Sequence, residues 1–246
     1  MSWSTTWPES KPVQGAAAFP SVRYSASAVS YGGELVVTHG YFYDHQHHRP
    51  AWQSNAWAFN FARREWRRVH EGEKAGAPSA RYCMSAVVFE HGMWVFGGDD
   101  GGHKHSMNNY VFGAHFDELW RLDLRTYAWR RVKPADGVAP PKRALHQAVV
   151  LGASMYVYGG LGKADLWRYD FGGGRWTQLM AAPGEEDDEA HPGVRHAFAA
   201  APDGGDGFYV HGGTRHRKGG GRPRVFGDLW RYNVNANGWT KVRPAG

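Results

Sequence analysis

A chain of 246 residues is long enough to bury a substantial core, as one large all-β domain or as two smaller ones. Thirty-three Gly, thirteen Pro and 15% aromatics, twelve of them Trp, point to short strands and tight turns and away from a helical bundle. A formal charge of +6 over this length decides little about partners; the single Cys83 excludes an internal disulfide and fits a reducing, cytoplasmic setting, and no run of about 18 apolar residues is present to cross a membrane as a helix.

In chain order, the first segment, "MSWSTTWPESKPV", has neither a basic stretch nor an apolar core, so no secretory signal is expected. "SWSTTW" reads as an outer strand without its sheet, so residues 1–17 are taken as an orphan strand and linker. Four units of one grammar follow. Residues 18–72 hold "PSVRYSASAV", "ELVVTHG" and "NAWAFNFARREW"; residues 73–135 hold "PSARYCMSAVV", "MWVFGG" and "ELWRLDLRTYAW". Residues 136–182 hold "PKRALHQAVV", "MYVYGG" and "DLWRYDFGGGRW"; residues 183–246 hold "PGVRHAFAAA", "FYVHGG" and "DLWRYNVNANGW". Trp57, Trp120, Trp167 and Trp230 stand 63, 47 and 63 residues apart, and each is followed nine residues later by Trp66, Trp129, Trp176 or Trp239.

Each unit reads as four short antiparallel strands, a to d. Strand a starts at the arginine, b ends at the glycines, c carries the first Trp and d begins near the second. A spacing of nine is what a five-residue strand, a tight turn and a returning strand require, and "FGGGR" and "VNANG" supply turn chemistry. Strands a and b are nearly continuous in apolar residues, as in a sheet covered on both faces. One such sheet cannot hide its own indoles, so neighbouring sheets must stack on it, and a radial arrangement of blades follows.

The Gly-Gly doublet after strand b, "DLWRYD" in strand c and a Trp nine residues on resemble the kelch repeat, over about residues 18 to 243. The resemblance implies an all-β, kelch-type β-propeller with four readable four-stranded blades plus the orphan N-terminal strand, drawn from a ring of four to six blades. The first repeat departs from the pattern, with His39-Gly40 for the doublet and Asn55-Ala56 before its Trp.

On such a propeller the d–a and b–c loops share one face, the usual ligand side, and three b–c loops are long: after Tyr43, from Asp99 and from Thr214. Arg23, Arg81, Arg143 and Arg195 recur where strand a begins. Two readings stand side by side: a guanidinium ring that grips acidic peptide segments, as the resemblance implies, or four hydrogen-bonded pins that fix the linkers. Tyr24, Tyr82 and His196 follow those arginines directly, and Trp52, Tyr110 and Phe112 are anchor candidates on the loops. Arg215, Arg217 and Arg222, with Lys218 and Arg224, make a basic b–c loop, and Glu185, Glu186, Asp187, Asp188 and Glu189 make an acidic linker into the same repeat. The two either neutralise one another or give way to a charged partner.

His45, His47 and His48, or His103 and His105, lack a partner Cys or carboxylate at a fixed spacing, so no metal or other cofactor is expected. Cys83 is placed inside strand a as a small hydrophobe. The function expected is a non-enzymatic protein–protein interaction module whose partner presents an acidic segment. The alternative is a metal-dependent kelch-type enzyme, an oxidase, epimerase or lyase-like protein, using Tyr24, Tyr82, His146 and His196 at the channel mouth. Nucleic acid is disfavoured as a partner by the acidic run beside the basic loop.

Overall fold

The structure, a computed structural model, describes residues 19–44, 49–101, 113–182, 190–216 and 221–243. In the first blade β1 (Ser27–Tyr31) and β2 (Glu34–Thr38) form the inner hairpin, a ribbon of β3 (Tyr41–Asp44) and β4 (Arg49–Trp52) follows, and β5 (Ala56–Asn60) and β6 (Glu65–His70) complete the order β1-β2-β5-β6. The second blade is β7 (Ser85–Phe89), β8 (Gly92–Phe96), β9 (Leu119–Asp123) and β10 (Trp129–Val132). The third is β11 (Gln147–Leu151), β12 (Ser154–Tyr158), β13 (Leu166–Asp170) and β14 (Arg175–Met180). The fourth joins β15 (Ala199–Pro202) and β16 (Gly207–His211), through a ribbon of β17 (Thr214–Arg215) and β18 (Arg224–Val225), to β19 (Leu229–Asn233) and β20 (Gly238–Val242). All pairings are antiparallel, and among the described residues the one helical element is a 3₁₀ turn, Glu73–Ala75. The architecture is all-β, as a kelch propeller requires; the orphan strand expected within residues 1–17 lies outside the described residues.

The nine-residue spacing has a local cause. The last residue of the third strand caps the turn: Asn60 Oδ1 accepts from the Arg63 N–H at 2.8 Å, Asp170 Oδ1 from Gly173 at 2.7 Å and Asn233 Oδ1 from Ala236 at 2.7 Å. Asp123 Oδ1 does the same for Arg125 and Thr126. Two residues before the second Trp each turn passes through one left-handed residue: Arg64 (φ 58°), Tyr127 (57°), Gly174 (62°) and Asn237 (46°).

Strand a begins four residues later than the sequence suggests, at Ser27, Ser85, Gln147 and Ala199, not at the arginines. Between arginine and strand one residue is left-handed in every blade, Ser25 (φ 51°), Cys83 (56°), Leu145 (60°) and Ala197 (54°), and this breaks the pleat. Cys83 therefore precedes the strand and is half-buried, contrary to its expected place within strand a.

These four residues link the blades. Cys83 N–H donates to Ser25 O at 3.2 Å, Leu145 to Cys83 at 2.9 Å and Ala197 to Leu145 at 3.0 Å. A second set runs the other way: Gly40 N–H donates to Arg81 O, Gly98 to Arg143 O and Gly160 to Arg195 O, each at 3.0 Å. The second glycine of the doublet is needed for a close approach within its own blade. At Gly98 (φ 102°) a Cβ would stand 3.0 Å from Tyr82 O, and at Gly213 (φ 91°) 2.8 Å from His196 O. His39 replaces the first glycine of the doublet and takes its left-handed conformation, at φ 58°.

Three apolar cores fill the spaces between blades. Val29, Val36, Ala56 and Ala58 meet Met93, Val95 and Leu122; Val87, Trp94, Phe96 and Leu119 meet Met155, Val157, Trp167, Tyr169 and Trp176. Val149, Tyr156, Tyr158 and Leu166 meet Phe208, Val210, Trp230, Tyr232 and Trp239. In the third and fourth blades both indoles thus face the preceding blade and are buried there. Inner strands touch in succession, β1 with β7, β7 with β11 and β11 with β15, whereas β1 and β15 lack that packing and keep Ala28, Ser30, Ala199 and Ala201 exposed. Among the described residues the four blades form an open arc.

Candidate functional site

The recurring arginines lie at the base of the loop face. Arg143 binds Asp165 with both arms, Nη1 to Oδ1 at 3.1 Å and Nη2 to Oδ2 at 2.8 Å, and also donates to Gly159 O and Pro141 O. The indole N–H of Trp167 donates to the same carboxylate at 2.7 Å. Arg195 repeats the arrangement with Asp228 at 2.8 and 3.2 Å, with Trp230 and with Gly212 O; Arg81 repeats it with Glu118 at 2.8 Å, with Trp120 and with Gly97 O. Phe116 covers the Arg81 guanidinium at 3.7 Å and Phe226 that of Arg195 at 4.3 Å. Burial alone would raise the carboxyls of Glu118, Asp165 and Asp228, but the hydrogen bonds and charge of their arginines hold all three below the ordinary range. All three guanidinium groups are at most 1% exposed. The ring of arginines gripping an acidic peptide is thus corrected for Arg81, Arg143 and Arg195: their donors are taken inside their own blades, and they act as pins.

Arg23 is the exception. Its partners are the Asn55 amide oxygen at 3.0 Å, His39 O at 3.1 Å and Ser21, with no carboxylate among the described residues, and it stays partly exposed. Burial and repulsion from Arg68 disfavour its charge, so an incoming carboxylate would be stabilised there.

Next to it an aromatic cluster spans the first two blades. Tyr24 pairs its backbone with Tyr41 and packs edge-on to that ring at 4.8 Å; Tyr41 lies 4.2 Å from Trp52 and 5.7 Å from Tyr82, and Trp52 lies 5.4 Å from Tyr82. Trp52 rests on Gly101, where a Cβ would come within 1.8 Å of the indole. Beneath, the buried Asp99 carboxylate accepts from the Gly101 N–H at 2.6 Å and stands 3.2 Å from His115 Nε2. Burial and that carboxylate push the Tyr82 phenol above its usual range. Tyr41 is closed off, Trp52 and Tyr82 are half-buried and Tyr24 is 52% exposed, so the cluster offers a ring edge to the outside.

At the fourth blade His196 Nε2 lies 3.0 Å from Thr214 Oγ1, and its ring stacks on His216 at 5.0 Å. Burial and that neighbour lower its pKa to about 4. Arg215 is half-buried, Arg222 is exposed, and Arg224 lies over Phe226 at 5.0 Å. Tyr110, Phe112, Arg217, the 185–189 acidic run and the loop histidines at 45, 47, 48, 103 and 105 lie outside the described residues.

The four groups named for an enzyme fall in three settings. Tyr24 and Tyr82 belong to the aromatic cluster, His196 to the Thr214 and His216 contacts, and His146 is buried with Nε2 2.8 Å from Ser85 Oγ. Below the face a cavity of about 190 Å³ is lined by Ser25, Cys83, Leu145, His146 and Ala197. Burial pushes the Cys83 thiol up to about 11, so it is protonated at neutral pH and no nucleophile. Sequence reasoning missed Tyr41 and Asp99, and also the carboxylates of the pins, although an acid stands two residues before the first Trp in three repeats, at Glu118, Asp165 and Asp228.

A family model described as the KLHDC2/KLHL20/DRC7 Kelch-repeats domain matches residues 25–246. The chain belongs to the kelch-repeat family. Among kelch relatives, host cell factor 2 of Homo sapiens is 37% identical over 93 residues, 35% of this chain and 10% of that protein. The leucine-zipper-like transcriptional regulator 1 homolog of Drosophila melanogaster is 30% identical over 129 residues, 48% of this chain and 12% of that protein. An N-(sulfonatooxy)prop-2-enimidothioate sulfolyase of Thlaspi arvense is 28% identical over 190 residues, 74% of this chain and 49% of that protein. This kelch chain thus spans about a tenth of the first two proteins and about half of the third.

Proposed function

We propose that this kelch domain is a non-enzymatic interaction module whose loop face binds an acidic, aromatic-compatible segment of a protein partner. The observation that carries the reading is the juxtaposition of Arg23, a cation without a carboxylate among the described residues, with the Tyr24, Trp52 and Tyr82 rings on the same face. An arginine with aromatic neighbours is the usual make-up of an interface anchor. Arg222, exposed two residues before the Arg224 that pairs with Arg215 across the fourth-blade ribbon, adds a second basic point and makes binding sensitive to salt. The test is affinity capture with wild type, an Arg23→Glu/Trp52→Ala variant and an Arg81→Glu variant checked for folding. The proteins lost from the first variant should be kept by any Arg81 variant that folds; equal recovery by wild type and Arg23→Glu/Trp52→Ala removes the site.

The name of the Thlaspi relative favours a second reading, a lyase acting at the loop face. Release of sulfate from an N-(sulfonatooxy) imidothioate by the purified chain, or a stoichiometric transition metal in its elemental analysis, would establish it over the first.

A further inference from the structure

A pin sets one carboxylate between an arginine and an indole N–H, and the first blade keeps the donors without the acid. In the other three blades the recurring arginine and the first Trp share one carboxylate: Arg81 and Trp120 on Glu118, Arg143 and Trp167 on Asp165, Arg195 and Trp230 on Asp228. In two of them the cross-strand partner of that Trp supplies a further cation. Arg131, opposite Trp120, reaches Glu118 at 3.2 Å, and Lys241, opposite Trp230, adds its positive charge beside Asp228.

In the first blade Arg23 holds the place of the arginine, Trp57 that of the indole and Arg68, opposite Trp57, that of the further cation. Asn55 stands two residues before Trp57, where the acid stands elsewhere. Its amide oxygen serves Arg23 at 3.0 Å, but among the described residues nothing accepts from the Trp57 N–H, although that side chain is only 3% exposed. A buried donor left without an acceptor is costly. The second tryptophans Trp129, Trp176 and Trp239 lack an acceptor too, alike in their three blades; of the four first tryptophans Trp57 alone does, at the position where the others are served by a carboxylate. Arg68 is near enough for its charge to disfavour that of Arg23, and its guanidinium lies over the Trp57 ring at 4.9 Å. Its pairing with Glu71 at 2.9 Å is exposed and holds it weakly. Two cations and an indole donor thus gather around a neutral amide. Arg23 and Asn55 are half-buried and Arg68 is exposed, so the place is reached from outside. The Asn55 side chain, held otherwise by a 3.4 Å bond to Gln53, can turn aside for an occupant.

We propose that the first blade completes its pin with a carboxylate supplied in trans: an aspartate or glutamate side chain of the partner takes the place of the Asn55 amide and accepts from Arg23, Arg68 and the Trp57 indole. The subsite rests on the reading of the loop face as the binding face and says where on that face the acid goes. Carboxylate is the class, because equivalent donors on equivalent strands already clasp Glu118, Asp165 and Asp228.

Proton–nitrogen correlation spectra of the indole N–H groups test this, with the Trp57 signal assigned from Trp57→Phe. Titration of wild type with N-acetylaspartate amide is expected to move that signal downfield, and the uncharged N-acetylasparagine amide to leave it in place. Asn55→Asp supplies the acid in cis. It is expected to show the shifted signal without ligand, to ignore the probe and to raise the thermal midpoint by about 2–4 °C. In affinity capture it should lose the proteins that Arg23→Glu/Trp52→Ala loses. A Trp57 signal that the aspartate probe does not move, or a midpoint lowered by Asn55→Asp, overturns the subsite, and the loop-face reading survives it if capture still depends on Arg23 and Trp52. A signal that moves while Asn55→Asp captures as wild type does makes the occupant a free carboxylate and overturns the partner as its source; the loop-face reading falls with it only if Arg23→Glu/Trp52→Ala also captures as wild type.

Discussion

Asp165 holds three donors at once, the two arms of Arg143 and the Trp167 indole, and Arg143 is wholly buried. Asp165→Ala leaves a charge in the interior without a partner, and a loss of about 3–5 kcal/mol in urea unfolding is expected. Replacing both members, as Arg143→Met/Asp165→Leu, should recover much of that loss, because the double variant leaves no charge behind. The first blade makes the same point without an acid among the described residues: Asn55 stands where Glu118, Asp165 and Asp228 stand elsewhere, and Arg23 is held by carbonyl, amide and hydroxyl oxygens. The pattern of pins was legible, since arginine and acid recur in register with the tryptophans. Burial was not legible, because a repeated cation on a loop reads the same from sequence whether water or Phe116 lies above it.

At the scale of the element, the turn between the third and fourth strands concentrates the strain. Gly174 is left-handed and has only Tyr169 Oη near the place of a Cβ, at 3.8 Å, so Gly174→Ala is expected to cost about 1 kcal/mol through backbone conformation alone. Arg64 holds the same conformation with a side chain, at φ 58°, and Arg64→Gly should leave stability unchanged or raise it by up to about 1 kcal/mol. Thermal unfolding of the two variants checks the opposite signs. "FGGGR" and "VNANG" announced their turns, whereas "FARRE" and "LRTYA" did not, although the same dihedral angle recurs in all four. In those two the asparagine or aspartate cap supplies what turn composition does not. The left-handed residue before each inner strand left no trace in composition, being Ser, Cys, Leu and Ala in turn, and so the strand starts were read four residues early.

For the molecule as a whole, the buried histidines set the acid limit. Burial first, with nearby arginine charges next, lowers the pKa of His39 to about 3; His196 sits at about 4, and His146 is well below its ordinary value. A folded pKa below the unfolded value of about 6.5 means that the unfolded chain takes up the proton first. Stability from these groups is complete above about pH 6.5 and is lost as pH falls from there toward about 4 for His196 and about 3 for His39. The urea midpoint should hold steady above pH 7 and decline below about 6.5. His39→Asn, which the left-handed site tolerates, should flatten that decline, and an unchanged slope would refute the assignment. The propeller itself was legible at this scale because four copies of one pattern leave few architectures open. How the first and last blades relate was not, since strand patterns describe a sheet and its two faces, not what lies against them.

The third blade passes from Gly160 to Leu166 in five residues and still makes its pin, its core and both links to its neighbours. The other blades reach the same geometry across much longer excursions. What is threaded between the second and third strands, apart from the residues that pack on the pins such as Phe116 and Phe226, is therefore mechanically idle with respect to the chassis beneath it. Its length and content are free to be rewritten, and a foreign peptide spliced in at Gly162 would be displayed on a frame that does not register the change.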